Sequence, residues 1–80
     1  MDKDLASHVG KVAFRCAADL GDLIPILQDY CDADEYQEYS QIIAILTGEI
    51  GNKLLRRIYN ECPGLEDEFD QKIEKFGVLL

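Results

Sequence analysis

Apolar residues recur along this chain at steps of three and four. Leu5, Val9, Val12, Cys16 and Leu20 form the first such series, a spacing that lines up one side of an α-helix. Asp2 and Asp4 stand where they complement the positive end of that helix. Gly21-Asp22 interrupts it. Asp22 can cap a second, shorter helix that buries Leu23, Ile24 and Leu27, with Pro25 tolerated in a first turn whose backbone donors are unpaired anyway. A single helix over 2–30, kinked at Pro25, satisfies the same pattern.

After a polar stretch the periodicity resumes, with Asp32 or Asp34 as the next cap. Tyr36, Tyr39, Ile43, Leu46, Ile50, Leu54 and Ile58 repeat at helical spacing, and Ile42, Ile45, Leu55 and Tyr59 widen the stripe on both sides. So broad a stripe belongs to a helix with more than one neighbour. Gly48 and Gly51 weaken it, each by about 1 kcal/mol relative to alanine. They mark either a break near Thr47-Gly48 or the close approach of a crossing helix. Cys62-Pro63-Gly64 ends the segment. The last helix, Leu65 to Phe76, sets Leu65, Phe69, Ile73 and Phe76 on one face. Its acids lie early (Glu66, Asp67, Glu68, Asp70) and its lysines late (Lys72, Lys75), matching the helix dipole, and Gly77 is a C-terminal cap. Val78-Leu79-Leu80 forms a short apolar tail that either folds back or serves a partner. No useful run alternates with period two. The pattern therefore predicts one all-α domain over residues 1–80, a small antiparallel bundle of four to five helices.

Composition narrows the function. The chain has 80 residues, 48% of them hydrophobic, and a formal charge of −8. That sign disfavours direct binding to nucleic-acid backbones or to anionic membranes. No apolar run reaches transmembrane length, and the N-terminal residues contain no apolar signal core, so a cytoplasmic protein is expected. Cys16, Cys31 and Cys62 are widely spaced and lack a Cys-x-x-Cys pair; they read as reduced thiols, two or three of them packed as small hydrophobes, with one disulfide left open.

Catalytic chemistry finds no support. His8 is the sole histidine, and nothing in the spacing brings it to Ser7 or Ser40 as base to nucleophile. Metal-ligand spacings, calcium loops and phosphate-cradling glycine motifs are absent, so neither a metal nor another cofactor is expected. Asp32-Ala33-Asp34-Glu35 resembles the start of a calcium loop but lacks the glycine that would turn it.

The stretch over 29–39 stands apart. Asp29, Asp32, Asp34, Glu35 and Glu38 share it with Tyr30, Tyr36 and Tyr39, and no basic residue occurs between Arg15 and Lys53. Aspartates at a helix start are ordinary caps, and Tyr36 and Tyr39 share the apolar stripe; a solvated helix junction explains that much. The density of acids without balancing lysines favours more, a docking site for a basic protein, in which tyrosine adds rigid contact area with a polar tip. Two smaller charge clusters have simpler accounts. The acids over 66–70 answer the dipole, and Lys53, Arg56 and Arg57 can pair with Glu49 and Glu61 along a helix.

From Ile42 onward the chain resembles small helical immunity proteins of bacterial polymorphic-toxin and contact-dependent inhibition systems. The resemblance covers residues 42–77: Ile42-Ile43-Ala44-Ile45-Leu46-Thr47-Gly48-Glu49-Ile50-Gly51, then Leu54-Leu55 and Ile58, then the Pro63-Gly64-Leu65 turn and a last acidic helix. The N-terminal half carries no counterpart. Such proteins bind and block a cognate toxin, often a nuclease. The resemblance implies that Gly48 and Glu49 are structural and that the acidic surface carries specificity. The alternative is a self-associating helical adaptor or regulatory protein that forms a homodimer through its broad apolar stripe and its Val78-Leu79-Leu80 tail.

Overall fold

In the computed structural model, which describes residues 1–77 and Leu79, the chain is helical almost throughout, with no strand among the described residues. The α-helical segments are α1 (Lys3–Gly21), α2 (Leu23–Tyr30), α3 (Ala33–Glu49), α4 (Arg56–Glu61) and α5 (Leu65–Phe76). A π-helical segment, Ile50–Leu55, joins α3 to α4 without a break, because both flanking residues keep right-handed helical dihedrals. Asp22, between α1 and α2, is likewise helical, at φ −68° and ψ −14°. The chain thus folds as three rods, over 3–30, 33–61 and 65–76, rather than four or five separate helices.

Local chemistry explains each boundary. The Asp2 carboxylate accepts the Leu5 backbone N–H at 3.3 Å and starts α1. Asp22 makes no such side-chain cap, since its own N–H still bonds back to the Ala18 carbonyl at 3.0 Å. The disturbance there comes from Pro25, which has no N–H for the Gly21 carbonyl and whose ring crowds it. Asp32 is the cap of α3, accepting the Glu35 N–H at 2.9 Å. At the other end the Pro63-Gly64 turn puts Gly64 at φ +92°, and Gly77 closes α5 at φ +76° with its N–H on the Ile73 carbonyl at 2.7 Å.

The first two rods form an antiparallel hairpin, and α5 runs alongside α1, from Leu65 near Ala6 to Gly77 near Ala18. Ala6, Ile58, Cys62, Leu65 and Phe69 make one core cluster, flanked by Val9, Tyr59 and Leu79. Its centre is Phe69, 1% exposed, whose ring lies against Gly10. A Cβ on Gly10 would stand 2.7 Å from the Phe69 ring, so only glycine admits this contact. Tyr59 meets the same ring edge-on, with centroids 6.1 Å apart. Burial, with Glu66 and Asp70 nearby, holds the Tyr59 phenol above its ordinary pKa.

The π segment sets which residues reach this core. Burial along the second rod passes through Ile43, Leu55, Ile58 and Cys62. Ile50 to Leu55 is a step of five, which an α-helix does not keep on one face and a wider π turn does. Leu55 is consequently 7% exposed and Leu54, expected in the stripe, is 43% exposed. Thr47 prepares the change by donating its hydroxyl to the Ile43 carbonyl at 2.9 Å, a back-bond that bends helices.

Other expectations are corrected here. Phe76 is 52% exposed, lying under the Lys75 ammonium at 5.3 Å instead of in the core, because α5 reaches beyond the cluster it packs on. Cys62 alone of the three thiols is buried; Cys16 is exposed and Cys31 half-buried, and all are free. Leu79 folds back onto the cluster, while Val78 and Leu80 of the same tail lie outside the described residues. Nothing approaches the Cβ positions of Gly48 or Gly51, so they mark neither a break nor a crossing helix.

Two substitutions test this reading. Gly10→Ala gains about 1 kcal/mol of helix propensity but overpacks Phe69 at a cost of about 1–3 kcal/mol. A net loss in urea unfolding is expected, partly restored by adding Phe69→Leu. Gly48→Ala meets open space and is expected to raise stability by about 1 kcal/mol in the same assay.

Candidate functional site

The acidic stretch is the bend of the hairpin. A rod of 28 residues rises about 42 Å, so α2 and the start of α3 stand at the far end of a molecule whose longest extent is 45 Å. The core cluster lies at the other end. Cys31 leaves the helix in an extended conformation, and Asp32 begins the return.

All five carboxylates, Asp29, Asp32, Asp34, Glu35 and Glu38, are exposed. None is ion-paired; among the described residues the salt bridges are Lys3–Glu68, Lys53–Glu49 and Arg57–Glu61, all elsewhere. Two of these three pairs are the helical pairings expected of Glu49 and Glu61. Tyr30 is 86% exposed, Tyr39 about half exposed, and Tyr36 half-buried toward the first rod. At about 100° per residue, Glu35 and Tyr39 fall on one broad face of the hairpin, and Asp34 and Glu38 fall on its outer edge. The residues therefore gather at one tip but fan around it. They line none of the three surface concavities described for the molecule.

Asp32 has a second duty. The Glu35 backbone N–H stabilises its charged form and holds its pKa below the ordinary 3.8. One carboxylate oxygen is thus committed to the helix, while the other remains toward solvent.

The remaining surface offers less chemistry. His8 is exposed beside Val9, Val12 and Cys16, with Ile50 and Leu54 opposite, and no serine shares that groove. Among the described residues, no three His, Cys, Asp or Glu side chains converge as metal ligands, and no helix is long and apolar enough to cross a membrane. What sequence reasoning missed is the share that the first rod takes in an open apolar surface. Leu5, Val12, Leu23, Tyr39, Ile42, Leu46 and Leu54 are each about half exposed. The signal for it is the width of the second-rod stripe, which exceeds what one neighbouring helix covers.

Comparison of the chain with protein families, curated proteins and solved structures finds no match.

The cap at Asp32 makes a pH prediction. Because its folded pKa is lowered, its contribution to stability is present above the unfolded value of about 4 and is lost as pH falls through the folded value. Asp32→Asn, which can still accept from Glu35, is expected to flatten the acid limb of stability against pH while leaving neutral stability nearly intact. Asp32→Ala is expected to lower the melting temperature at neutral pH as well. Thermal unfolding across that range checks both.

Proposed function

We propose that this chain is a protein-binding module that docks a basic partner on the tip of its hairpin. One observation carries the reading: five exposed carboxylates and two well-exposed tyrosines project at the end of the molecule farthest from the core, with no basic side chain among them. A charge field of one sign at the end of a rod accelerates and orients encounter with its opposite. Tyr30 and Tyr39 supply contact area that loses little conformational freedom on binding. Asp29, Tyr30, Asp32, Asp34, Glu35, Tyr36, Glu38 and Tyr39 form the site, with Tyr36 chiefly holding the tip to the first rod.

In its specific form the module is an inhibitor of the immunity-protein kind, acting in the cytoplasm without catalysis and without a cofactor. It neutralises a basic toxin domain such as a nuclease. A groove that binds phosphate is lined with Lys and Arg, and a narrow acidic tip fits such a groove better than a broad flat surface does. Support comes from the charge of the chain, the geometry of the tip and the resemblance over residues 42–77. In this reading Gly48 and Glu49 lie outside the contact.

The test compares the tagged protein with its Asp34→Lys, Glu35→Lys double variant in capture from native lysate under low- and high-salt washes. The expected result is one basic protein at near-equal stoichiometry on the parent, released by salt and absent from the variant. Equal recovery on both chains, insensitive to salt, rejects the tip as the site.

A further inference from the structure

The hairpin has two broad faces, and α5 covers only one. Lys11, Phe14 and Ala18 of α1 line one cavity with Ile73, Gly77 and Leu79 on the covered side. On the opposite side, Leu5, Val12, Cys16 and Leu23 fall within about 40° of one another at 100° per residue. Tyr39, Ile42 and Leu46 fall within about 60° on the same side of the antiparallel rod. Between the rods this face holds a groove of about 400 Å³ lined by His8, Val9, Val12, Ala13, Cys16, Ile50 and Leu54.

We infer that this face is the interface of a homodimer: a second copy of the chain lies against it, antiparallel, about a two-fold axis crossing the face near Ile50. Four observations support a copy as the occupant. First, the fold is incomplete alone. Its radius of gyration is 14.7 Å, against about 12 Å for a compact domain of this length. Its shortest extent is only 15 Å, since α5 is laid on one face of the hairpin and nothing in the chain is laid on the other. Second, the area suffices. The molecule's broad side, 45 by 25 Å with the tip included, is large enough to hold the roughly 800 Å² per partner of a stable interface.

Third, charge permits it despite the −8 on each chain. Glu49 and Lys53, which border the face, neutralise each other at 2.7 Å. The densest group of unpaired acids, Asp29, Asp32, Asp34, Glu35 and Glu38, sits at the tip, and an antiparallel pair sends its two tips to opposite ends, far beyond the screening distance of about 8 Å at physiological salt. Fourth, the surface is self-complementary. Half-exposed Leu46 stands one turn before Ile50 and half-exposed Leu54 one turn after it, so rotation about an axis near Ile50 brings Leu46 of each copy toward the groove beside Leu54 of the other. A face that must be covered for the chain to be stable needs a partner present whenever the chain is made, and a second copy meets that condition. Tyr39 belongs to both this face and the docking tip, while Asp34 and Glu38 on the outer edge stay free in the dimer; the inference does not rest on the proposed docking of a basic protein.

The test uses the purified full chain and no other protein. Light scattering behind size exclusion is expected to give twice the chain mass, unchanged by high salt. Ile42→Glu with Leu46→Glu is expected to shift it to the single-chain mass, weakening association roughly tenfold or more because a charge would be buried unpaired. Ile45→Glu, on the outer edge and 64% exposed, is expected to leave the mass unchanged. Thiol labelling covers the case in which the double variant fails to fold. Cys16 is expected to be protected as concentration rises, while Cys31 at the hairpin bend keeps its reactivity. A folded single chain at the highest soluble concentration overturns the inference, as does an oligomer in which Cys16 labels at a rate independent of concentration.

Discussion

The contact between Gly10 and Phe69 is the constraint on which the rest of this structure depends. Without a side chain at residue 10 the Phe69 ring settles onto the backbone of α1, and α5 is drawn alongside it. That placement brings Leu65 and Cys62 against Ala6 and Ile58, and it fixes the Pro63-Gly64 turn between the second rod and the third. It also gathers the core at one end. The far half of the hairpin has no third helix to lean on and is held by the pairing of α2 with α3 and by the cap at Asp32.

That asymmetry divides the surface into three parts of different chemistry. One face is closed by α5. The other is apolar and open. The tip is acidic and carries tyrosine. In a chain this short only eight of the described hydrophobic residues are buried in the core, so an open apolar face has a structural cost unless something covers it. The acidic tip has no comparable cost, because its charges stay in water. The two surfaces therefore answer to different pressures, the face to folding and the tip to recognition.

Much of this was legible in the sequence. Periodicity marked all-helical structure, and Asp2, Asp32, Pro63-Gly64 and Gly77 stood at real boundaries because capping is local chemistry. The acidic tip was legible for the same reason, as its residues are contiguous. What escaped were effects that depend on partners distant in the chain. Gly10 in a helical series shows its purpose only when Phe69 arrives. Leu54 and Leu55 are equivalent by composition, and the choice between them is made by a widened turn that strict three-and-four spacing does not describe. Asp22 has the chemistry of a cap, yet the helix runs through it, since tertiary pairing with the second rod keeps α2 nearly in line with α1. Tyr39 and Leu46 fit the stripe, but the stripe is wider than the first rod can cover.

The widened turn between Ile50 and Leu55 also bears on how this chain can change in length. It holds one residue more than an α-helix would need to join α3 to α4 in their present orientations. Loss of a residue within it would relax the segment to ordinary helix and leave both flanking stripes facing as they do now. Loss of a residue elsewhere in the rod would turn everything beyond it by about 100°. The segment is the slack in an otherwise rigid spine, and lineages of this chain can shorten there without refolding the rest.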